Sequence, residues 1–473
     1  MSINFVGLAS NLDTGAIISE LMKIERIPYQ KLETQKSLLT SKQSKFRTLN
    51  TKLRTLEFAA ADLLLKSNFS LVKATSSKES AVKITSSSSA AVGTYHIEVE
   101  KMARAHVVKS EEFSASGIDL MGTELTLHFN GKTLPVIKSD KTNNAEILED
   151  IKNQINSANV GVRASVIETS PGKKMLVLAA KETGTANGIE WGLDNPVSDT
   201  ITYFEWSGLN KSDFKDAVPA QDAIFTVNGV KVTGHASNTI SGVIEGVTFE
   251  LLAENDTAVI TVERDYNAIA GKVEAFVNAY NDIIQTIRDY TAKGAELQGN
   301  STLRSLSSQL SQWINRDVAD GLSDEEKAEY ALRFLWQVGL EVDRGILTAS
   351  DMTGKINFDK NKFIEALKNN EDAVLTLFQQ EDEKNPGVIR RFRDLLKQNW
   401  TDFMDGGIAK EIAGFDASIA MLNERMERME YQLSLREEQL KKQWTAMEVA
   451  LGNLQSQQLW IAAQLTALMT PAR

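Results

Sequence analysis

Apolar residues return every seven positions along the C-terminal end of the chain, at Ile419, Met426, Leu433, Leu440, Met447, Leu454, Ile461 and Leu468. A seven-residue repeat sustained over this length lays one stripe along one helix face and predicts coiled-coil packing. The companion row is less regular. Leu422 and Met429 stand three positions after the stripe, Arg436 and Gln443 interrupt that row, and Trp444, Leu451 and Leu465 stand four positions after it. A seam that changes offset changes its facing angle, which predicts a helix that exchanges neighbours partway along. If helical throughout, residues 416–469 would span about 80 Å.

The N-terminal end carries a matching pattern. Leu32, Leu39, Phe46, Leu53 and Ala60 recur in sevens, and Leu49, Leu56 and Leu63 follow three positions after the last three. Pro28 suits the first turn of this helix, where its missing N–H needs no partner. A shorter amphipathic helix precedes it, with Ile17, Ile18, Leu21 and Ile24 expected on one side and Asp13 or Thr14 as its cap. Eight stripe residues left in water would forgo roughly 10–20 kcal/mol as an upper figure. The nearest partner for the C-terminal stripe is the heptad helix at the other end of the same chain. That pairing brings the two ends together and makes the middle an insertion between two long helices. One pair of helices cannot cover both faces, so contacts to other subunits are also expected.

Between the ends the period changes to two. A Ser- and Thr-rich stretch leads into the alternation Tyr95, Ile97, Val99. Asn130-Gly131 and Asn228-Gly229, each flanked by strand-like residues, signal hairpins whose two central residues take positive φ. Ile147, Ile151 and Ile155 mark a short helix, and Pro171-Gly172 turns one strand into the next. From Asn267 the helical period returns through Ile269, Val273, Phe276, Tyr280 and Ile284, with more helix at 301–316 and 360–380. The fold class is therefore multidomain α+β: long paired terminal helices, a coiled-coil leg and helical stalk, carrying an inserted β-rich, two-part head.

Charge sharpens the division. The formal net charge is −11, yet residues 1–66 carry +4 and residues 416–473 carry −1, so the middle is strongly acidic. This balance argues against a global basic field for nucleic acid. The basic helix face at 23–66 also lacks the aromatic interleaving of a nucleic-acid site. No apolar run approaches the 18 or so residues of a membrane span. Cysteine is absent, which removes disulfides, thiolate metal sites and cysteine nucleophiles. The start, MSINFVGLASNLDTG, has neither a basic nor an apolar region of the secretory kind, so any export is expected to use another route without a cleaved signal. His96, His106, His128 and His235 make no metal-ligand spacing, and no phosphate loop, dinucleotide fingerprint or nucleophile elbow is present. The reading is of a protein that is not an enzyme and carries no cofactor and no metal.

Several long motifs carry a family resemblance. FVGLASNLDTGAIISELMKIERIPYQKLE at the start, KATSSKESAVKITSSSSAAVGTYHIEVEKMARAH after it, VEAFVNAYNDII with GNSTLRSLSSQL, GKINFDKNKFIEALKNNEDAVLTLF, and RMERMEYQLSLREEQLKKQWTAMEVALGNLQSQQ near the end stand in the family's order. The chain resembles bacterial flagellar filament cap proteins, the hook-associated protein 2 family. Residues 182–220 match nothing in that pattern, and SDEEKAEYALRF looks like a local insertion.

The resemblance implies a ring at the filament tip, about four to six copies of this chain, with heads forming a plate and legs reaching into the filament. The cap would promote folding and insertion of exported flagellin. Its other partners would be a hook–filament junction protein and, before secretion by the flagellar type III route, an export chaperone. It implies four parts: 1–42 with 436–473 as the leg, 43–70 with 267–435 as the stalk, 71–112 with 218–266 as a β-rich head domain, and 113–217 as a variable α/β head domain. Ile3, Phe5, Leu8, Leu12, Trp460 and Leu465, with Leu454, Ile461 and Leu468, are the candidate leg-end residues that contact flagellin or the junction protein. Two other classes share parts of the pattern: another flagellar axial or junction protein, and an extracellular adhesin using the β-rich head.

Overall fold

The computed structural model describes residues 12–129, 132–133, 136–191, 202–207, 213–344 and 352–469. The chain divides into two compact units, Met1–Leu65 with Ala270–Arg473 and, between them in sequence, Lys66–Ile269. The helices in chain order are α1 (Thr14–Glu25), α2 (Ile27–Asp62), α3 (Lys66–Phe69), α4 (Asn144–Ala158), α5 (Tyr266–Thr291) and α6 (Ser301–Ile314). They continue with α7 (Asp324–Ala328), α8 (Lys360–Asn369), α9 (Glu371–Gln379), α10 (Val388–Leu396) and α11 (Gly407–Met469).

The first unit is helical. Asp13 caps α1 by accepting from the Ala16 N–H at 2.9 Å, and Pro28 stands in the first turn of α2. The buried row of α1 is Thr14, Ile18 and Met22, while Leu21 and Ile24 are exposed. The expected face with Leu21 and Ile24 is therefore corrected. Spacing by four along Ile18–Met22 matches the row that α11 offers, and that pairing selects the face. The stretch 360–380 is two helices, because Asn370 ends α8 and caps α9 by accepting from the Ala373 N–H at 3.0 Å. Leu49, Leu53, Leu56 and Ala60 of α2, Phe276 and Tyr280 of α5, Leu306 and Leu310 of α6, and Phe392 of α10 are all buried. The Phe392 ring meets Phe276 edge-on at 5.4 Å and Trp313 edge-on at 6.0 Å. A π-helical turn, Lys397–Thr401, leads towards α11, whose 63 residues run about 95 Å.

The second unit is strand-rich and has two cores. An antiparallel five-stranded sheet orders its strands as Val72–Ser76, Asp256–Arg264, Gly93–Lys101, Ala223–Val227 and Val230–His235. A three-stranded sheet of Thr239–Ile244, Val247–Leu251 and Val82–Ser86 shares its core, where Phe225 and Phe249 meet edge-on at 5.5 Å. Asn228 and Gly229 form the expected hairpin turn with φ of 50° and 79°. The second core joins α4 to the strands Ala105–Ser110, Val162–Ser170, Lys173–Thr183 and Phe214–Val218. Its helix buries Ile147, Leu148, Ile151 and Ile155, and Asn143 caps it. The Asn130-Gly131 turn lies outside the described residues.

Candidate functional site

The two ends of the chain meet along an antiparallel seam. Leu32 of α2 is buried with Leu422 and Met426 of α11, and Leu39 and Met429 pack against them. Further along, Ile18 and Met22 of α1 are buried with Leu433 and Leu440, against Met429 and Trp444. Tyr29 touches both clusters. Descending numbers on one side thus meet ascending numbers on the other. α11 passes from α2 to α1 near Glu430, close to where its companion row changes offset.

Polar pairs flank the apolar row. The Arg26 guanidinium donates to Glu430 at 2.9 Å, and Arg436 lies 3.4 Å from Glu25. Nearer the start of α11, Gln43 donates to Asp416, Arg47 stands 3.6 Å from the same carboxylate, and the Phe46 and Phe415 rings are 5.5 Å apart. These ion pairs are about half exposed, so each contributes at most about 1 kcal/mol. Apolar packing holds the seam, and the charges bias its register.

α2 also docks onto the other helices of its unit. Lys52 donates to Asp282 at 2.7 Å and to Thr286 at 2.9 Å, and Lys272 reaches Asp62 at 2.9 Å. The Gln379 amide donates to the Leu63 carbonyl at 2.8 Å in a buried position. Lys45 and Ser41 both donate to Glu296, and these hydrogen bonds, Lys45's first, hold its carboxyl below the usual range.

The predicted seam residues divide accordingly. Leu32, Phe46, Leu53, Met426, Leu433 and Leu440 are buried, and Leu39, Ile419 and Met447 are half-buried. Leu454 and Ile461 are 60% and 52% exposed, and Leu12, Trp460 and Leu465 are exposed as well. The structure does not bring those five together with the seam. Ile3, Phe5 and Leu8 lie outside the described residues, as does the Leu468 side chain. Met22, Tyr29 and Gln43 join the seam without having been singled out. Met22 was legible from its spacing of four from Ile18, whereas Gln43 was not, because a polar residue signals burial only through its partner.

Among the described residues no group of three His, Asp or Glu could hold a metal ion. His106 is a structural link: its Nδ1 accepts from the Ile189 N–H at 2.9 Å, so its Nε2–H faces Asp216 at 3.0 Å.

Among the described residues, a seam made from both chain ends continues into an apolar stripe that no other helix covers, a pattern of the coiled-coil class. Residues 220–456 match the family profile for the flagellar hook-associated protein 2 C-terminus, and residues 10–106 match that for its N-terminus. The chain belongs to the flagellar hook-associated protein 2 family. A flagellar hook-associated protein 2 of Escherichia coli is 26% identical over 484 residues, covering 98% of each chain. The Salmonella typhimurium protein of the same name is 24% identical over 478 residues, covering 99% of each. A crystal structure of three domains of the flagellar cap protein of Escherichia coli superposes with a TM-score of 0.57 at 24% identity, covering 79% of this chain and 99% of that one. That likeness shows a shared fold.

Proposed function

We propose that this protein caps the flagellar filament as a ring of its own copies and promotes the folding and insertion of exported flagellin. One observation carries the reading beyond family membership. The C-terminal stripe continues through Leu454 and Ile461, with Leu465 in its companion row, and these side chains lie in water. Exposed apolar residues in register with a buried seam, uncovered among the described residues, offer a surface to a partner. Flagellin and a junction protein at the filament's growing end are the partners of that description.

The protein works without covalent chemistry, the free energy coming from flagellin folding and lattice contacts. Export by the flagellar type III route without a cleaved signal, attended by a chaperone, fits a chain with no cysteine. No helix among the described residues is long and apolar enough to cross a membrane. In this reading the chain has a leg, a stalk and two head domains, with the strand Ala105–Ser110 in the core of the second head domain. The test is to delete the gene and follow flagellin. Hooks without filaments, with monomeric flagellin in the medium and motility restored by added purified protein, is the expected result. Filaments of normal length would overturn the reading.

A further inference from the structure

The strand-rich unit holds two cores, and the chain passes between them twice. Residues 102–104 lead from the strand Gly93–Lys101 of the first core to Ala105–Ser110 of the second. Residues 219–222 lead back from Phe214–Val218 to Ala223–Val227. Cores joined by short crossings of this kind ordinarily swing against each other.

Here the first crossing has every backbone group bonded. The Met102 N–H donates to Glu254 at 2.8 Å, the Ala103 N–H to Asn238 at 2.7 Å and the Arg104 N–H to the Gln221 carbonyl at 2.8 Å. The Met102 carbonyl accepts from the Gln221 amide at 2.8 Å, and the Ala103 carbonyl from the Asn238 amide at 2.9 Å. The Arg104 carbonyl accepts twice, from the Gln221 N–H at 3.2 Å and the Gly184 N–H at 3.1 Å. Asn238 and Glu254 adjoin strands of the first core, and Gly184 follows the strand Lys173–Thr183 of the second. The crossing is thus fastened on both sides. Glu254 also accepts from the Arg104 guanidinium at 2.6 Å. The Met102 N–H first, with Arg104 and Gln221, holds its carboxyl below the usual glutamate range against the opposing effect of burial.

The cores also meet directly. The Thr183 hydroxyl donates to the Ala236 carbonyl, and the Thr185 N–H and hydroxyl donate to Asp222 at 2.7 and 2.8 Å. Between them Gly184 takes φ 95° and ψ 158°, a region open essentially to glycine alone. A methyl added there would stand 2.3 Å from the Ala236 side chain. A hinge works when a few residues absorb large changes in φ and ψ. Residues 102–104 cannot do so without breaking their bonds to both cores.

We propose that this brace removes the hinge the two crossings would otherwise provide, so that the two strand cores move as one rigid body, with Asn238 and Glu254 as its pins. Such rigidity is a property of the strand-rich unit alone and is independent of the cap reading.

The chain has no cysteine, so Val230→Cys in the first core and Thr169→Cys in the second supply the only two thiols, both at exposed positions. The full chain carrying this pair is spin-labelled and diluted with excess unlabelled chain. Double electron–electron resonance then reads only distances within one copy. The expected result is one narrow distance distribution, no wider than the labels themselves allow. Asn238→Ala with Glu254→Ala should widen it about twofold or more. Gly184→Ala should widen it as well, since the methyl must displace Ala236. Hydrogen exchange at the strand amides of both cores reads whether each variant is still folded. A broad or two-peaked distribution in the parent pair would overturn the brace, whatever the variants do. Unchanged widths in folded variants would also overturn it, because other contacts would then hold the cores. Where a variant unfolds, the parent distribution decides alone.

Discussion

Arg26 and Glu430 stand 404 positions apart in the chain, and their side chains meet at 2.9 Å where α1 gives way to α2 against α11. The pair marks the crossover of the seam from one N-terminal helix to the other. Both side chains keep over two-fifths of their surface in water. A double-mutant cycle of Arg26→Ala and Glu430→Ala, read by denaturant unfolding, should return a coupling below about 1 kcal/mol. Raising the salt concentration should shrink it further.

The apolar side of the seam should behave oppositely. Leu53 of α2 is fully buried. Leu53→Ala should destabilise the helical unit by about 2–5 kcal/mol, seen as a lower midpoint in urea. Leu454→Ala, at a residue 60% exposed, should change folding stability by no more than about 0.5 kcal/mol. A large loss of stability from Leu454→Ala would mean that its stripe is already covered within one chain.

Removal of residues 454–473 should separate folding from function. The strand-rich unit Lys66–Ile269 and the seam up to Trp444 lie before the cut. Circular dichroism should show a folded protein, and complementation of the gene deletion should show no filament growth. Normal filaments from the truncated protein would remove the distal stripe from the assembly role.

Asp343 offers a test by pH. It has a positive φ of 52° and accepts from the Thr353 N–H and hydroxyl at 2.7 Å and from the Gly354 N–H at 2.8 Å. Burial alone would raise its pKa. The three hydrogen bonds outweigh that and hold the carboxyl below the ordinary aspartate value. A carboxyl depressed on folding stabilises the native state above the unfolded value of about 3.9, and that stability fades as pH falls through the lower folded value. Asp343→Asn keeps the shape and tolerates the positive φ. It should lower stability at neutral pH by about 1 kcal/mol and flatten the acid limb of the stability curve.

Asn144 opens α4 and is fully buried. Its amide donates to the Ser114 carbonyl at 3.0 Å and to Asp119 at 2.9 Å, and its oxygen accepts from the Leu120 N–H at 3.0 Å. Asn144→Ala would strand the buried Leu120 N–H and should lower the stability of the strand-rich unit by about 1–3 kcal/mol. Hydrogen exchange at the Leu120 amide should accelerate with it.

Much of this was legible along the chain because periodicity is a local signal. The stripe from Ile419, the row from Leu32 and the alternation at Tyr95, Ile97 and Val99 each announce an element and a buried face. The Asn228-Gly229 turn was legible because positive φ is a property of those two residues themselves. Less was legible for α1. Ile17, Ile18, Leu21 and Ile24 make a plausible apolar side, yet Met22 is buried while Leu21 and Ile24 face water. A helix with apolar residues on two sides has two candidate faces, and only the partner's row of Leu433 and Leu440 chooses between them.

By itself, then, the sequence determined that two heptad helices flank a strand-rich middle and that their stripes need partners. Burial of apolar surface is favourable whatever covers it, so the pattern states the need without naming the cover. Which part of each stripe finds its partner within the chain was decided only by the tertiary structure. Antiparallel pairing sets Leu32 on Met426 and Ile18 on Leu433, and the described part of α1 reaches no further along α11 than Trp444. The register of that pairing is fixed by contacts between residues hundreds of positions apart. It therefore leaves no mark in any local window of the chain.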